Sequence, residues 1–191
     1  LHFTKAQITA RHRECSPMDR ILGKHKNPPK PERYTMVLLK LDTGLRAGEV
    51  ASAELTNFKP TEGYLKVKGR GNKERIVPLG AEAQAVVSRY ITYVRSKMAK
   101  PDCTRLFMSE DGGPISENTI KLFFSRLKKK SGITRLHAHL CRHTFAINYL
   151  LNGGDIYSLK EILGHTTLEM VNRYLHFTKA QITARHRECS P

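Results

Sequence analysis

The stretch from Gly63 to Leu79, GYLKVKGRGNKERIVPL, limits the sheet this chain can build, because its apolar residues alternate in two short runs, Tyr64 to Val67 and Arg75 to Leu79. Alternation sends successive side chains to opposite faces of a strand. The turn between the runs holds Gly69, Gly71 and Asn72, residues that tolerate positive φ. A β-hairpin with a loop longer than two residues is expected, with Lys73 beside its turn. On either side the apolar period is helical. From Glu32, the residues Tyr34, Val37, Leu38 and Leu41 fall at i, i+3, i+4 and i+7, and Thr43 and Gly44 end that helix. TGLRAGEVASAEL restarts a short helix with Arg46 and Glu49 on the same side. Further helices are expected from about Ala81 to Lys97, from an N-cap at Ser116 to about Lys130, and from about Ala138 to Leu151, stopped by Gly153 and Gly154. Asp155 caps another that ends at Gly164, a last short helix carries Tyr174, and RLFM near Leu106 reads as a short extended segment. The expected fold class is therefore mainly α with a small antiparallel β-hairpin, α+β.

Charge narrows the partner. Lys and Arg total 33 against 17 Asp and Glu, a formal charge of +16 on 191 residues. That excess implies a polyanion, and nucleic acid fits better than a membrane surface because the basic residues are spread along the chain. No apolar run approaches 18 residues. Cys15, Cys103, Cys141 and Cys189 form no CxxC pair, so reduced thiols and a cytoplasmic location are expected. The sequence LHFTKAQITARHRECSP occupies positions 1–17 and again 175–191, letter for letter with nothing similar between, which is not the pattern of a stacked repeat. KHKNPPKP, from Lys24 to Pro31, is a Pro- and Lys-rich linker that cannot be helical throughout.

The densest polar cluster is HAHLCRH, with His137, His139, Cys141, Arg142 and His143. His139 and His143 have zinc-ligand spacing, but the Glu of HExxH is missing and Arg142 would put a positive charge beside the metal. His143, next to Phe145 and Ile147, reads as a packed histidine. A guanidinium matches two phosphate oxygens and stays charged under all conditions. Arg46, Arg142, His139, His165 and Lys73 would together make a phosphate site that needs no metal or other cofactor.

TGLRAGEV, GRGNKERIVPL, HAHLCRHTFAINYLLNGG and LGHTTLEMVNRYLH, in this order, resemble the catalytic domain of tyrosine recombinases, the phage integrase family. The third is similar to that family's H-x-x-R box, and Tyr174 follows His165 by the family's nine residues. The resemblance covers about residues 32–175 and implies the integrase catalytic-core fold. It implies that Arg46 and Arg142 clamp the scissile phosphate and that His165 adds a hydrogen bond. Tyr174 is then the nucleophile forming a 3′-phosphotyrosyl bond, Lys73 the acid toward the leaving 5′-oxygen, and His139 the base toward the tyrosine. Glu49 would hold Arg46 or His139 in place. Lys68, Arg70 and Arg75 on the hairpin are expected DNA contacts.

Nothing in the chain resembles the N-terminal clamp domain usual in this family, so a catalytic fragment is expected. Its divisions would be 1–26, an appended copy of the C-terminal tail; 27–31, linker; 32–174, catalytic domain; and 175–191, the first part of the tail. Double-stranded DNA is the expected partner, with other protomers joined by tail exchange into a tetramer on DNA, in a bacterial cell and in the service of a phage or other mobile element. A type IB topoisomerase and a non-catalytic basic DNA-binding module are the rival readings.

Overall fold

A computed structural model describes residues 30–169 together with 171 and 174. Residues 1–26 and 175–191, the two expected copies of the tail, lie outside the described residues. Helix α1 spans Pro31–Thr43, with Pro in its first turn, where a missing N–H costs nothing. Its C-cap, Gly44, has φ 66 and donates its N–H to Lys40 O at 3.0 Å. A Cβ at Gly44 would lie 2.7 Å from Phe145 Cδ1 and 2.8 Å from Leu163 Cδ2, so this turn is sealed against two other helices. The stripe expected on α1 is wider in fact. Thr35, Met36, Val37, Leu38, Leu39, Lys40 and Thr43 are all buried, as befits a helix covered on several sides.

Helix α2 (Ala47–Ser52) follows at once, its first turn closed by the Glu49 carboxylate, which accepts the Arg46 backbone N–H at 2.8 Å. A 3-10 turn (Leu55–Asn57) leads into β1 (Phe58–Lys59), and β2 (Tyr64–Lys68) and β3 (Glu74–Pro78) make the expected hairpin. The sheet is antiparallel in the order β1-β2-β3, with Phe58 opposite Leu65, Leu65 opposite Val77 and Val67 opposite Arg75. Leu65, Val67 and Val77 are buried, so the face that holds them is the inner one. The hairpin loop, Arg70–Asn72, turns through left-handed backbone, with φ 72 at Gly71 and φ 58 at Asn72.

The long helix expected next is a continuous run in three parts: α3 (Ala81–Tyr90), a π-helical turn (Ile91–Arg95) and α4 (Ser96–Met98). The wider turn aims Arg95 inward, where Nε donates to Arg105 O at 2.9 Å and Nη2 to Cys103 O at 2.5 Å. The RLFM segment pairs only through isolated bridges, Glu54 with Arg105 and Met108 with Pro114. Helix α5 (Glu117–Ser131) is capped by Ser116, whose Oγ accepts the Thr119 N–H at 3.0 Å. Helix α6 (Leu140–Leu151) starts two residues later than its apolar pattern suggests, because His139 occupies the N-cap position. Helix α7 (Ile156–Leu163) is capped by Asp155 and ends at Gly164, φ 63. Residues 169, 171 and 174 are helical as well.

Helix α1 packs against α3 and α6, α2 against α5 and β2, and α7 against β3 and α6. The main core joins α1, the sheet, α3, α5 and the Leu106–Phe107 segment. A second, smaller cluster holds Ala146, Leu150, Leu159, Leu163, Val171 and Tyr174. The loop from α1 to α2, the end of α7 and the start of α6 meet between these two clusters.

Candidate active site

The meeting point is organised around backbone carbonyls that face two arginines. Arg142, in the first turn of α6 and only 1% exposed, donates from Nη1 to Gly44 O at 3.0 Å and from Nη2 to Leu163 O at 2.7 Å. Arg46, just before α2, reaches the same Leu163 O from Nη1 and Gly164 O from Nη2, both at 3.4 Å. The shorter bonds fix Arg142 within the fold, whereas Arg46 Nη2, with only the long contact to Gly164 O, is open to a better acceptor. Burial and then the neighbouring Arg46 lower the Arg142 pKa to about 10, so it remains cationic at neutral pH.

Glu49 carries the compensating charge. Besides the Arg46 N–H, its carboxylate accepts Arg46 Nη1 at 2.9 Å and a two-pronged pair from Arg75, Nη1 at 2.7 Å and Nη2 at 3.0 Å. Burial raises its pKa, but the hydrogen bonds and charges of Arg75 and Arg46 outweigh burial and hold it below the ordinary carboxylate value. Glu49 therefore holds Arg46, one of the two partners expected for it, and its other bonds go to Arg75.

Arg75 departs from the expectation that grouped it with Lys68 and Arg70 as a DNA contact. Its side chain is 13% exposed, bound to Glu49 and, through Nε, to Ile162 O at 2.8 Å. The cause is strand parity, since Arg75 stands two residues from buried Val77 and opposite buried Val67. Lys68 does face solvent on the outer parity, and shares Glu74 with Lys66. Arg70 opens the hairpin loop, and its side chain lies outside the described residues. Lys73 is exposed at the foot of β3, and its carbonyl closes the hairpin loop by accepting the Gly69 N–H at 2.8 Å.

His165 follows Gly164 directly, is buried, and caps α7 by donating its N–H to Lys160 O at 3.0 Å. His139 borders a cavity of about 360 Å³ whose wall also includes Arg46, Ala47, Glu117, Lys121 and His137. Desolvation of its ring, followed by repulsion from His143, Arg142, His137 and Lys40, lowers the His139 pKa to about 4, although the residue keeps solvent contact. The imidazole is therefore neutral at neutral pH. Tyr174 is 2% exposed within the second cluster, and its phenol lies within electrostatic reach of Arg142. His143, set aside in the sequence as a packing residue, stands between the two, its ring edge-on to His139 at 4.7 Å and to Tyr174 at 5.4 Å. Among the described residues, no three His, Cys, Asp or Glu side chains gather as a metal site would require. Cys141, buried beside this cluster, has its thiol raised to about 11 by desolvation, and at neutral pH it stays protonated and unreactive.

Two arginines and a histidine from separated boxes thus gather near a tyrosine, and the family model described as the phage integrase family matches residues 16–181. The chain belongs to the phage integrase family. Among its relatives is the tyrosine recombinase XerD of Staphylococcus saprophyticus subsp. saprophyticus, 36% identical over 159 residues, which are 82% of this chain and 54% of that protein. XerD of Staphylococcus aureus strain Mu50 is 35% identical over the same coverage. The chain spans about half the length of the curated relatives it matches. The integrase-family fold is shared with a crystal structure of XerA recombinase, TM-score 0.77 at 25% identity over all of this chain and 65% of that one. It is shared too with the catalytic domain of bacteriophage HP1 integrase, TM-score 0.64 at 26% identity over 91% of each chain.

Proposed function

We propose that this chain is the catalytic part of a site-specific DNA recombinase, which cuts and rejoins double-stranded DNA through a covalent bond between Tyr174 and a 3′-phosphate. The observation that carries this reading is the convergence of Arg46 and Arg142 on the Leu163–Gly164 turn that leads into His165, with Tyr174 within electrostatic reach of Arg142. In the reaction the Tyr174 Oη attacks phosphorus and the bond from phosphorus to the 5′-oxygen breaks. Arg46 and Arg142 offset the charge that builds on the non-bridging oxygens, and His165 adds a hydrogen bond there. Neutral His139 takes the phenol proton and Lys73 gives one to the departing 5′-oxygen. The phosphotyrosyl bond keeps the phosphodiester energy, so attack by a 5′-hydroxyl reverses each transfer and reseals the strand. Lys68 and Arg70 would contact the DNA backbone, in line with the formal charge of +16. Exchange of the segment after Tyr174 between protomers, giving a tetramer on DNA, belongs to the same proposal, as does the division of the chain into tail copy, linker, catalytic domain and tail.

The test is a suicide duplex nicked beside the cleavage point, which lets the 5′-hydroxyl fragment diffuse away. The wild-type chain becomes covalently attached to DNA, Y174F does not, and R142A is slower by roughly 10²-fold or more. Covalent attachment that survives in Y174F overturns the assignment. A mobility shift with no attachment in any variant identifies a DNA-binding module instead.

A further inference from the structure

Lys40 is 0% exposed in the last turn of α1, inside the main body of the protein, where an ammonium group has no water to solvate it. Its Nζ donates to Leu45 O at 2.5 Å. The other end of that same peptide, the Arg46 N–H, is held by Glu49 Oε2 at 2.8 Å, and the preceding carbonyl, Gly44 O, by Arg142 Nη1 at 3.0 Å. The peptide that sets the direction of the Arg46 side chain is thus gripped by a buried cation on one edge and a buried anion on the other. Thr43 completes the loop, its Oγ1 donating to Leu39 O at 2.5 Å and accepting the Leu45 N–H at 3.4 Å.

We infer that Lys40 is a positioning residue for the phosphate site: by fixing the Leu45 carbonyl it orients the Leu45–Arg46 peptide and hence the Arg46 guanidinium. The inference rests on the proposed cleavage reaction. A hydrophobic side chain of the same length would fill the same space at lower desolvation cost, so packing alone does not account for a lysine here. The charge it carries is sensitive to pH. Burial first, and Arg142 as well, lower its pKa to about 8, opposed by Cys141 on α6, Glu49 on α2 and Glu117 on α5. His139, at the start of α6, feels the Lys40 charge in turn. As Lys40 loses its proton, its bond to Leu45 O is no longer charge-assisted and weakens.

The experiment compares wild type with K40M on the suicide duplex at saturating DNA, and measures DNA affinity and thermal unfolding alongside. Expected at pH 7 is a cleavage rate lower by about tenfold or more with DNA affinity and melting temperature little changed, because a slight misdirection of a catalytic group is costly to rate alone. The ratio of wild-type to K40M rates should then shrink as pH rises from 7 to 9, a readout that a purely packing role would not move. Equal rates at pH 7 in the folded variant, or a ratio that does not change with pH, overturn the inference. Should K40M fail to fold, K40L, which likewise removes the donor toward the carbonyl, is put through the same comparison with the same two criteria. If the wild type itself gives no covalent product, it is the cleavage reading that fails, and the two failures are told apart.

Discussion

At the scale of single residues, the Glu49 carboxylate is the hinge of the site, since it is shared by Arg46 before α2 and Arg75 on β3. Removing Arg75 leaves a buried carboxylate short of two hydrogen bonds, so R75A should lower stability in urea unfolding by about 2–4 kcal/mol. R75K should recover little of this, because an ammonium cannot serve both carboxylate oxygens and Ile162 O at once. Glu49 also gives a pH dependence with a definite sign. Its folded pKa lies below the ordinary 4.5, so its stabilisation is complete above that value and is lost as pH falls through the lower, folded one. Unfolding midpoints measured from pH 6 down to pH 3 should therefore fall more steeply for wild type than for E49Q. The Arg46 to Glu49 spacing was legible in TGLRAGEV, and the inward direction of Arg75 could have been taken from the alternation that defines its strand. Lys40 was not legible, because a lysine amid MVLLKL looks like a solvent-facing break in the stripe until the carbonyl that accepts its hydrogen bond is in place.

At the scale of elements, those with strong local signals are where the sequence puts them. Glycine stops, side-chain caps and alternation depend on the chain's own near neighbours, and these define α1, α5, α7 and the β2–β3 hairpin. What was missed depends on distant partners. Two-residue β1 has no period to detect, and the π-helical turn at Ile91–Arg95 is explained by the Cys103 and Arg105 carbonyls that Arg95 serves. Helix α5 supports α2, the helix behind Arg46, and its N-cap is one hydroxyl. S116A should cost about 1 kcal/mol in thermal or urea unfolding. A cap effect of this kind leaves the rate of suicide-substrate cleavage by the folded fraction unchanged.

At the scale of the whole molecule, charge would govern how the chain meets DNA in the proposed reaction, and no helix among the described residues is long and apolar enough to cross a membrane. If Arg46 and Arg142 together neutralise the scissile phosphate and Lys68 and Arg70 one phosphate each, the plot of log affinity against log salt has a slope of roughly −2.7 from these three phosphates, and K68A reduces its magnitude by about 0.9. A titration from 50 to 300 mM salt, about the range over which such slopes are read, measures both. The motif order in the sequence carried the family; the packing that unites the boxes came from elements far apart in the chain. The division of the apolar interior has its own consequence. Tyr174 is embedded in the small cluster of α6 and α7, while α1 and the sheet belong to the large one. Among the described residues few buried side chains must separate to open the small cluster, so the backbone amides of α7 should exchange with deuterium through a local opening that leaves those of α1 protected. Hydrogen-exchange mass spectrometry would see two protection classes, and the proposed nucleophile would sit in the class that opens first.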